Sequence, residues 1–395
     1  MKPAMKRMLD ALRLGFVTLL VAACGGGVET GGTGPTGAYV EGPITGFGSI
    51  VVAGVHFDDS TATVEDAAGL GRGRDGLRLG MRVEIDSGTI AGDGSGGRAA
   101  TATRLRIASD LVGPVTAADE QGLLIAVLGQ VVRITLSTVV DGVPGGSAAL
   151  AVDDIVEVHG FIDPGVLLDR YVATRIERRS AAPASYRVRG LVRDLSGTRL
   201  RVGARIFDLG AVGVPPGLSD GQVVRLTLGT TMQGDSWPVT AIVVEPRRLE
   251  DRDEAEVEGL ITALSSVTRF AVNGIDVDAS GATGTEGVLL GSRVKVRGRA
   301  SGGGIVASRV DLRDDDDAFN DGFDLRDAIA DLDPVAKTFS VRGVTVFYGT
   351  EPPPDYDTDG ETGLRNGRCV RVRAILAADR TQVIATRIEF RDQCG

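Results

Sequence analysis

Gly42-Pro43-Ile44-Thr45-Gly46-Phe47-Gly48-Ser49-Ile50-Val51-Val52-Ala53-Gly54-Val55 is the stretch that decides the fold. Apolar residues run up to Gly54 and resume after it, which is how two short strands and a tight turn are written. Such a turn needs positive φ, and glycine adopts it without a Cβ clash. The segment recurs as Ile125-Ala126-Val127-Leu128-Gly129-Gln130-Val131, Leu200-Arg201-Val202-Gly203-Ala204-Arg205-Ile206, Phe270-Ala271-Val272-Asn273-Gly274-Ile275 and Phe339-Ser340-Val341-Arg342-Gly343-Val344. Its opening Gly-x-Ile/Val step recurs too, as Gly113-Pro114-Val115, Gly190-Leu191-Val192 and Gly259-Leu260-Ile261, with a degenerate copy at Asp327-Ala328-Ile329. The spacing is about 70 residues, the mark of a repeat architecture.

Two further marks follow each opening. One is Gly-x-x-Val-x-Val or a close variant: Gly80 to Ile85, Gly221 to Leu226, Gly291 to Val296 and Gly367 to Val372, with Asp153 replacing the glycine in the second copy. The other is Ala-Thr-Arg-Ile, seen as Ala102 to Leu105, Ala173 to Ile176, Ala307 to Val310 and Ala385 to Ile388, and reduced to Ala241 and Val244 in the third copy. All have a period of two, with aliphatic residues on one side and Arg, Glu or Lys on the other. That is a half-buried strand with a solvated outer face. No 3.6-residue period is sustained beyond the first 23 residues. The chain therefore reads as all-β, with repeats at 39–109, 110–183, 184–251, 252–322 and 323–395. The strand order resembles a small five-stranded OB-like barrel, filled by aliphatic side chains. Units this small are near the lower limit for independent folding, so neighbours should share contacts in an elongated, additive chain of beads.

Composition narrows the function classes. The net charge of −10 gives no general grip on nucleic acid. Two His and three Cys leave no material for a His-rich or Cys-rich metal centre. Arg and Asp on the outer faces exclude a lipid-facing outer-membrane barrel.

The N-terminus reads as an address. Lys2, Lys6 and Arg7 precede the apolar run Leu14 to Ala23, which has the length of a signal-peptide core and is too short to span a bilayer. Val21-Ala22-Ala23-Cys24 resembles the lipobox of bacterial lipoproteins. The resemblance implies a signal peptide at 1–23, cleavage before Cys24 and acylation of the Cys24 thiol. Gly25 in place of Asp points to the outer membrane, with the body periplasmic or surface-exposed. Residues 24–38 then form a Gly/Thr-rich tether. The lipobox together with the Gly46 to Gly54 motif resembles bacterial lipoproteins built from tandem copies of a domain of unknown function. That resemblance implies an envelope-anchored β-repeat protein and no catalytic residues.

With Cys24 lipidated, Cys369 and Cys394 remain as a disulfide pair in the last repeat. Asp355-Tyr356-Asp357-Thr358-Asp359-Gly360 matches the first half of a calcium loop, with Asp355, Asp357 and Asp359 as ligands. The twelfth position is Asn366, and Pro352 to Pro354 precede the run, so a solvated acidic loop is preferred over a calcium site. Asp314 to Asp317 reads as a solvated linker, and His56 and His159 as ordinary surface or edge residues. The expected role is a non-enzymatic structural or binding module. It would be held to the membrane by lipid and face an envelope protein or, less favoured for want of aromatics, a polysaccharide. The alternatives are a calcium-dependent adhesion protein and a hydrolase with an unrecognised carboxylate site. An open pocket joining two carboxylates of one repeat would favour the hydrolase.

Overall fold

The computed structural model describes residues 37–394, apart from 68, 93–96, 166–167, 246–248, 314–321 and 358. The expected signal peptide, Cys24, most of the expected tether and the Asp314 to Asp317 run lie outside the described residues. Strand pairing follows the period-two pattern closely. The first repeat forms β1 (Ala38–Phe47), β2 (Ile50–Val52), β3 (Val55–Asp58), β4 (Thr63–Asp66), β5 (Arg82–Ser87), β6 (Ala91–Gly92) and β7 (Arg98–Ile107). β1 pairs with β2, β2 with β3, β3 in parallel with β7, β7 with β5, and β5 back to β1. That circuit is a closed five-stranded barrel.

The other repeats close the same circuit. In the second, strand Leu111–Ala118 pairs with Leu124–Val127, that with Gln130–Asp141, that in parallel with Arg170–Arg178, and Ile155–Asp163 closes the ring. In the third, the opening strand is split into Tyr186–Leu191 and Arg193–Ser196. The fourth and fifth begin at Arg252–Ser266 and Phe323–Ala328. The turn between second and third strands carries the expected backbone: Ala53 and Gly54 have φ of 53° and 75°, and Asn273 and Gly274 have 53° and 87°. The barrels are filled. Ile44, Ile50, Val52, Phe57, Val83, Ile85 and Leu105 of the first are fully buried.

The expected elongated, additive string is corrected by the pairing between barrels. β1 lies parallel to the opening strand of the fourth barrel, Ala38 beside Glu254 through Glu41 beside Val257. Its far end lies parallel to the opening strand of the fifth, Gly46 beside Asp324 and Phe47 beside Leu325. The cores fuse accordingly: barrels one and five share one apolar cluster, and barrels two and three share another. The fourth keeps its own. A linear solenoid touches only sequence neighbours; here the first repeat is the centre.

This explains the glycines of the opening motif. A Cβ on Gly46 would sit 2.3 Å from the Asp324 carbonyl oxygen, and one on Gly48 would sit 2.3 Å from the Arg326 Cβ. The Gly-Phe-Gly step is written in full only where a strand of another barrel lies this close.

A second correction concerns the outer faces. Sequence alternation assigns their Arg, Glu and Lys to solvent, yet Glu41, Arg82, Arg189, Arg225, Glu256, Arg293 and Lys295 are all buried. Neighbouring barrels cover them. Arg293 stacks over Phe161 of the second barrel, 5.2 Å from the ring centroid, and Lys295 donates to the Ala53 carbonyl of the first.

Candidate functional site

The buried polar groups converge at one junction, and Asp110 is its hub. It occupies the link between the first and second barrels and is 0% exposed. Its Oδ1 accepts from Arg82 Nη2 at 3.1 Å and from Arg189 Nη1 at 3.3 Å, and its Oδ2 accepts from the Gly160 amide at 2.8 Å. Arg82 also donates through Nη1 to Glu41 Oε1 at 2.8 Å. The same oxygen accepts from Asn273 Nδ2 at 2.9 Å, and Tyr39 donates its hydroxyl to Glu41 Oε2 at 3.0 Å. Arg189 donates to the Asn273 carbonyl at 3.0 Å and to Glu245 Oε2 at 2.7 Å, and Arg225 donates to Glu245 Oε1 at 2.9 Å. Four barrels thus meet in one chain of charge-assisted bonds.

The electrostatics follow from this burial. Loss of water opposes the charge on Arg82, but Asp110 and Glu41 outweigh that and raise its pKa above the usual guanidinium value. Burial also opposes the Glu245 charge, and Arg225 and Arg189 overcome it, holding the carboxyl well below its ordinary range. Glu84 goes the other way. Burial, then the like charges of Glu41 and Glu245, push its pKa up.

Above this floor opens a cleft of about 240 Å³ between barrels one, three and four. Six guanidinium groups line it, those of Arg82, Arg104, Arg106, Arg189, Arg225 and Arg252. Five carboxylates face them, from Glu41, Glu84, Asp86, Glu245 and Glu250. Glu41 and Glu84 come from one barrel and are register partners on β1 and β5. Tyr39, Val243, Leu249 and Ile275 supply the apolar part of the wall. None of these cleft residues was singled out from sequence. The available signal was Asn273, which takes the tight-turn position held by Ala53 and Leu128 in earlier repeats.

The residues that were singled out lie elsewhere. Cys369 and Cys394 are joined as a disulfide, with Cα atoms 5.0 Å apart. Asp355 accepts from Arg387 at 2.9 Å and Asp357 from the Phe390 amide at 2.9 Å, while Asp359 faces Arg368 at 3.4 Å. The three carboxylates are thus directed to separate donors, and no group of three metal-ligating side chains occurs among the described residues. His56 contacts Ser49 at 3.3 Å. His159 is not a surface residue: it is 0% exposed, with Nε2 at 3.5 Å from Glu157. The reason is that its strand face is covered by the neighbouring barrels.

No curated protein matches this chain. A model of a domain of unknown function, DUF5666, matches residues 112–177, 258–311 and 328–389. The matched regions fall within the second, fourth and fifth barrels, and the first and third share their topology. Three of the five barrels, the second, fourth and fifth, thus match a repeated domain of unknown function, DUF5666, in the form of a small closed β-barrel.

Proposed function

We propose that this protein is a lipid-anchored component of the bacterial envelope, a string of repeats that acts as one structural or binding body without catalysis of its own. One observation carries the reading. The ionic groups on the cleft floor, Glu41, Arg82, Asp110, Arg189, Arg225 and Glu245, are bonded to one another across barrels, so their role is to lock the array. The lipobox ending at Cys24 supplies the address. The test has two parts. Radiolabelled palmitate should label the chain and not its Cys24→Ser variant, and crosslinking in whole envelopes should recover a defined partner with the labelled chain. Label on Cys24→Ser sinks the anchor; an envelope crosslink pattern identical to that of an unrelated lipoprotein sinks the binding role.

A hydrolase is the second reading, favoured by the presence of Glu41 and Glu84 of one barrel in one cleft, where burial and then the charges of Glu41 and Glu245 push the Glu84 pKa up. Turnover of a chromogenic glycoside that disappears in Glu84→Gln would establish it.

A further inference from the structure

We propose that the cleft between barrels one, three and four binds a single neutral sugar ring. The inference rests on the binding-module reading and names its ligand class. Three features of the cleft carry it.

The first is charge balance. Among the described residues each of the six lining guanidinium groups already has a carboxylate partner, with Asp110 behind Arg82 and Arg189 and Glu65 beside Arg106 adding to the carboxylates of the wall. An ionic ligand would have to break one of these pairs and leave a charge uncompensated in a partly dry site. A neutral ligand need break none.

The second is the pattern of spare hydrogen-bonding capacity. Glu84 accepts from Arg106 through Oε2 and leaves Oε1 without a hydrogen bond among the described residues. Arg106 spends Nε and Nη1, and Arg225 spends Nε and Nη1, so each keeps Nη2. Arg252 keeps Nε. Acceptors and donors therefore line the same cleft, and a hydroxyl is the group that serves both, since it donates once and accepts twice. Adjacent hydroxyls on one ring can bridge a carboxylate oxygen and a guanidinium nitrogen.

The third is size and wall. About 240 Å³ lies just under the usual range for drug-sized ligands. Val243, Leu249 and Ile275 offer an aliphatic surface to the C–H face of a ring. With no tryptophan in the wall, affinity should be millimolar.

The test uses the full chain, purified in a detergent without a sugar headgroup. Glucose, galactose and N-acetylglucosamine are titrated by saturation-transfer NMR and calorimetry beside their charged counterparts glucuronate and glucosamine, and beside the neutral trisaccharides. At least one neutral sugar should saturate with a millimolar Kd, and the charged counterparts should bind at least tenfold more weakly. A trisaccharide tighter than its monomer identifies a polysaccharide end as the source; equal binding identifies a free sugar. Val243→Trp, which fills the cleft, should weaken binding tenfold or more. Glu250→Gln, at an exposed rim position, removes one negative charge and should shift preference toward glucuronate. Failure of every neutral sugar to saturate by about 50 mM, charged sugars binding as well as neutral ones, or neither variant changing binding overturns the inference. That result would leave the module reading intact if Cys24 labelling and a specific crosslink were still seen.

Discussion

The first four barrels share a buried ionic junction in addition to strand pairing between barrels, and the fifth is docked outside that junction. At the four-barrel junction, strand faces meet and the contact is ionic, with Asp110, Arg82, Arg189 and Glu41 buried together. The fifth barrel joins by its backbone edge and its core, through Gly46 and Phe47 beside Asp324 and Leu325. A hairpin then reaches the second barrel, where Arg380 donates to the Thr135 carbonyl at 2.9 Å and to Ser147 at 3.2 Å. The fifth also carries the Cys369–Cys394 bridge. The contrast teaches that one fold unit can be docked either by faces or by edges. Faces carry side chains and so bring charges together; edges bring carbonyls and amides together, and demand glycine only where the backbones come as close as Gly46 and Asp324 do.

The largest effect should come from breaking the face contact. Arg82→Met removes the one guanidinium that bridges buried Glu41 and Asp110, and one lost buried partner costs about 3–5 kcal/mol. Urea denaturation should show that loss across the whole array, since four barrels share the network; a loss under about 1 kcal/mol would mean that water replaces the guanidinium. Reduction of the Cys369–Cys394 bridge should cost about 2–4 kcal/mol and act on the fifth barrel alone. Hydrogen exchange should therefore quicken in Phe323–Ala328 and Val383–Arg391 before it quickens in β5. Gly46→Ala tests the edge contact. Overpacking against the Asp324 carbonyl should cost about 1–3 kcal/mol and should loosen the fifth barrel while sparing the fourth.

The smallest effect separates the two junctions by pH. Asp324, beside the edge contact, is half-buried, which opposes its charge, but Arg371 and Arg326 more than offset that and lower its pKa. Its stabilisation is complete above the ordinary carboxylate value and is lost as pH falls through its own lowered value. Glu84 has a raised pKa, so its ionisation disfavours the fold, and stability falls as pH rises from the ordinary carboxylate value through the raised one. Asp324→Asn should flatten the acid limb of a stability–pH curve and Glu84→Gln the opposite limb. Identical curves for the two variants would remove the distinction.

The barrel was legible because alternation and turn glycine are local facts. Ile50 to Val55 specify two strands and a turn whatever surrounds them. The junction was not legible for a physical reason. Period two says which side chains miss their own core, but it is silent on whether another barrel covers the other side. Arg82 and Glu41 were therefore read as solvated. Gly46 was a partial signal, since it lies within β1 and the turn at Gly54 does not need it, and an extra glycine in a strand marks close approach of another backbone.

The position of β1 also has a consequence for the order in which the molecule can form. Glu41 and Asn273, which bond at the junction, are 232 residues apart in the chain. β1 is made first, yet its lateral partners belong to the fourth and fifth barrels. Contacts of such long sequence separation form slowly, because the loop must close before it is rewarded. Until then β1 presents an unpaired edge, the kind of surface that recruits strands from other molecules. The first barrel can close early, but the array can become cooperative only once the last repeat has arrived.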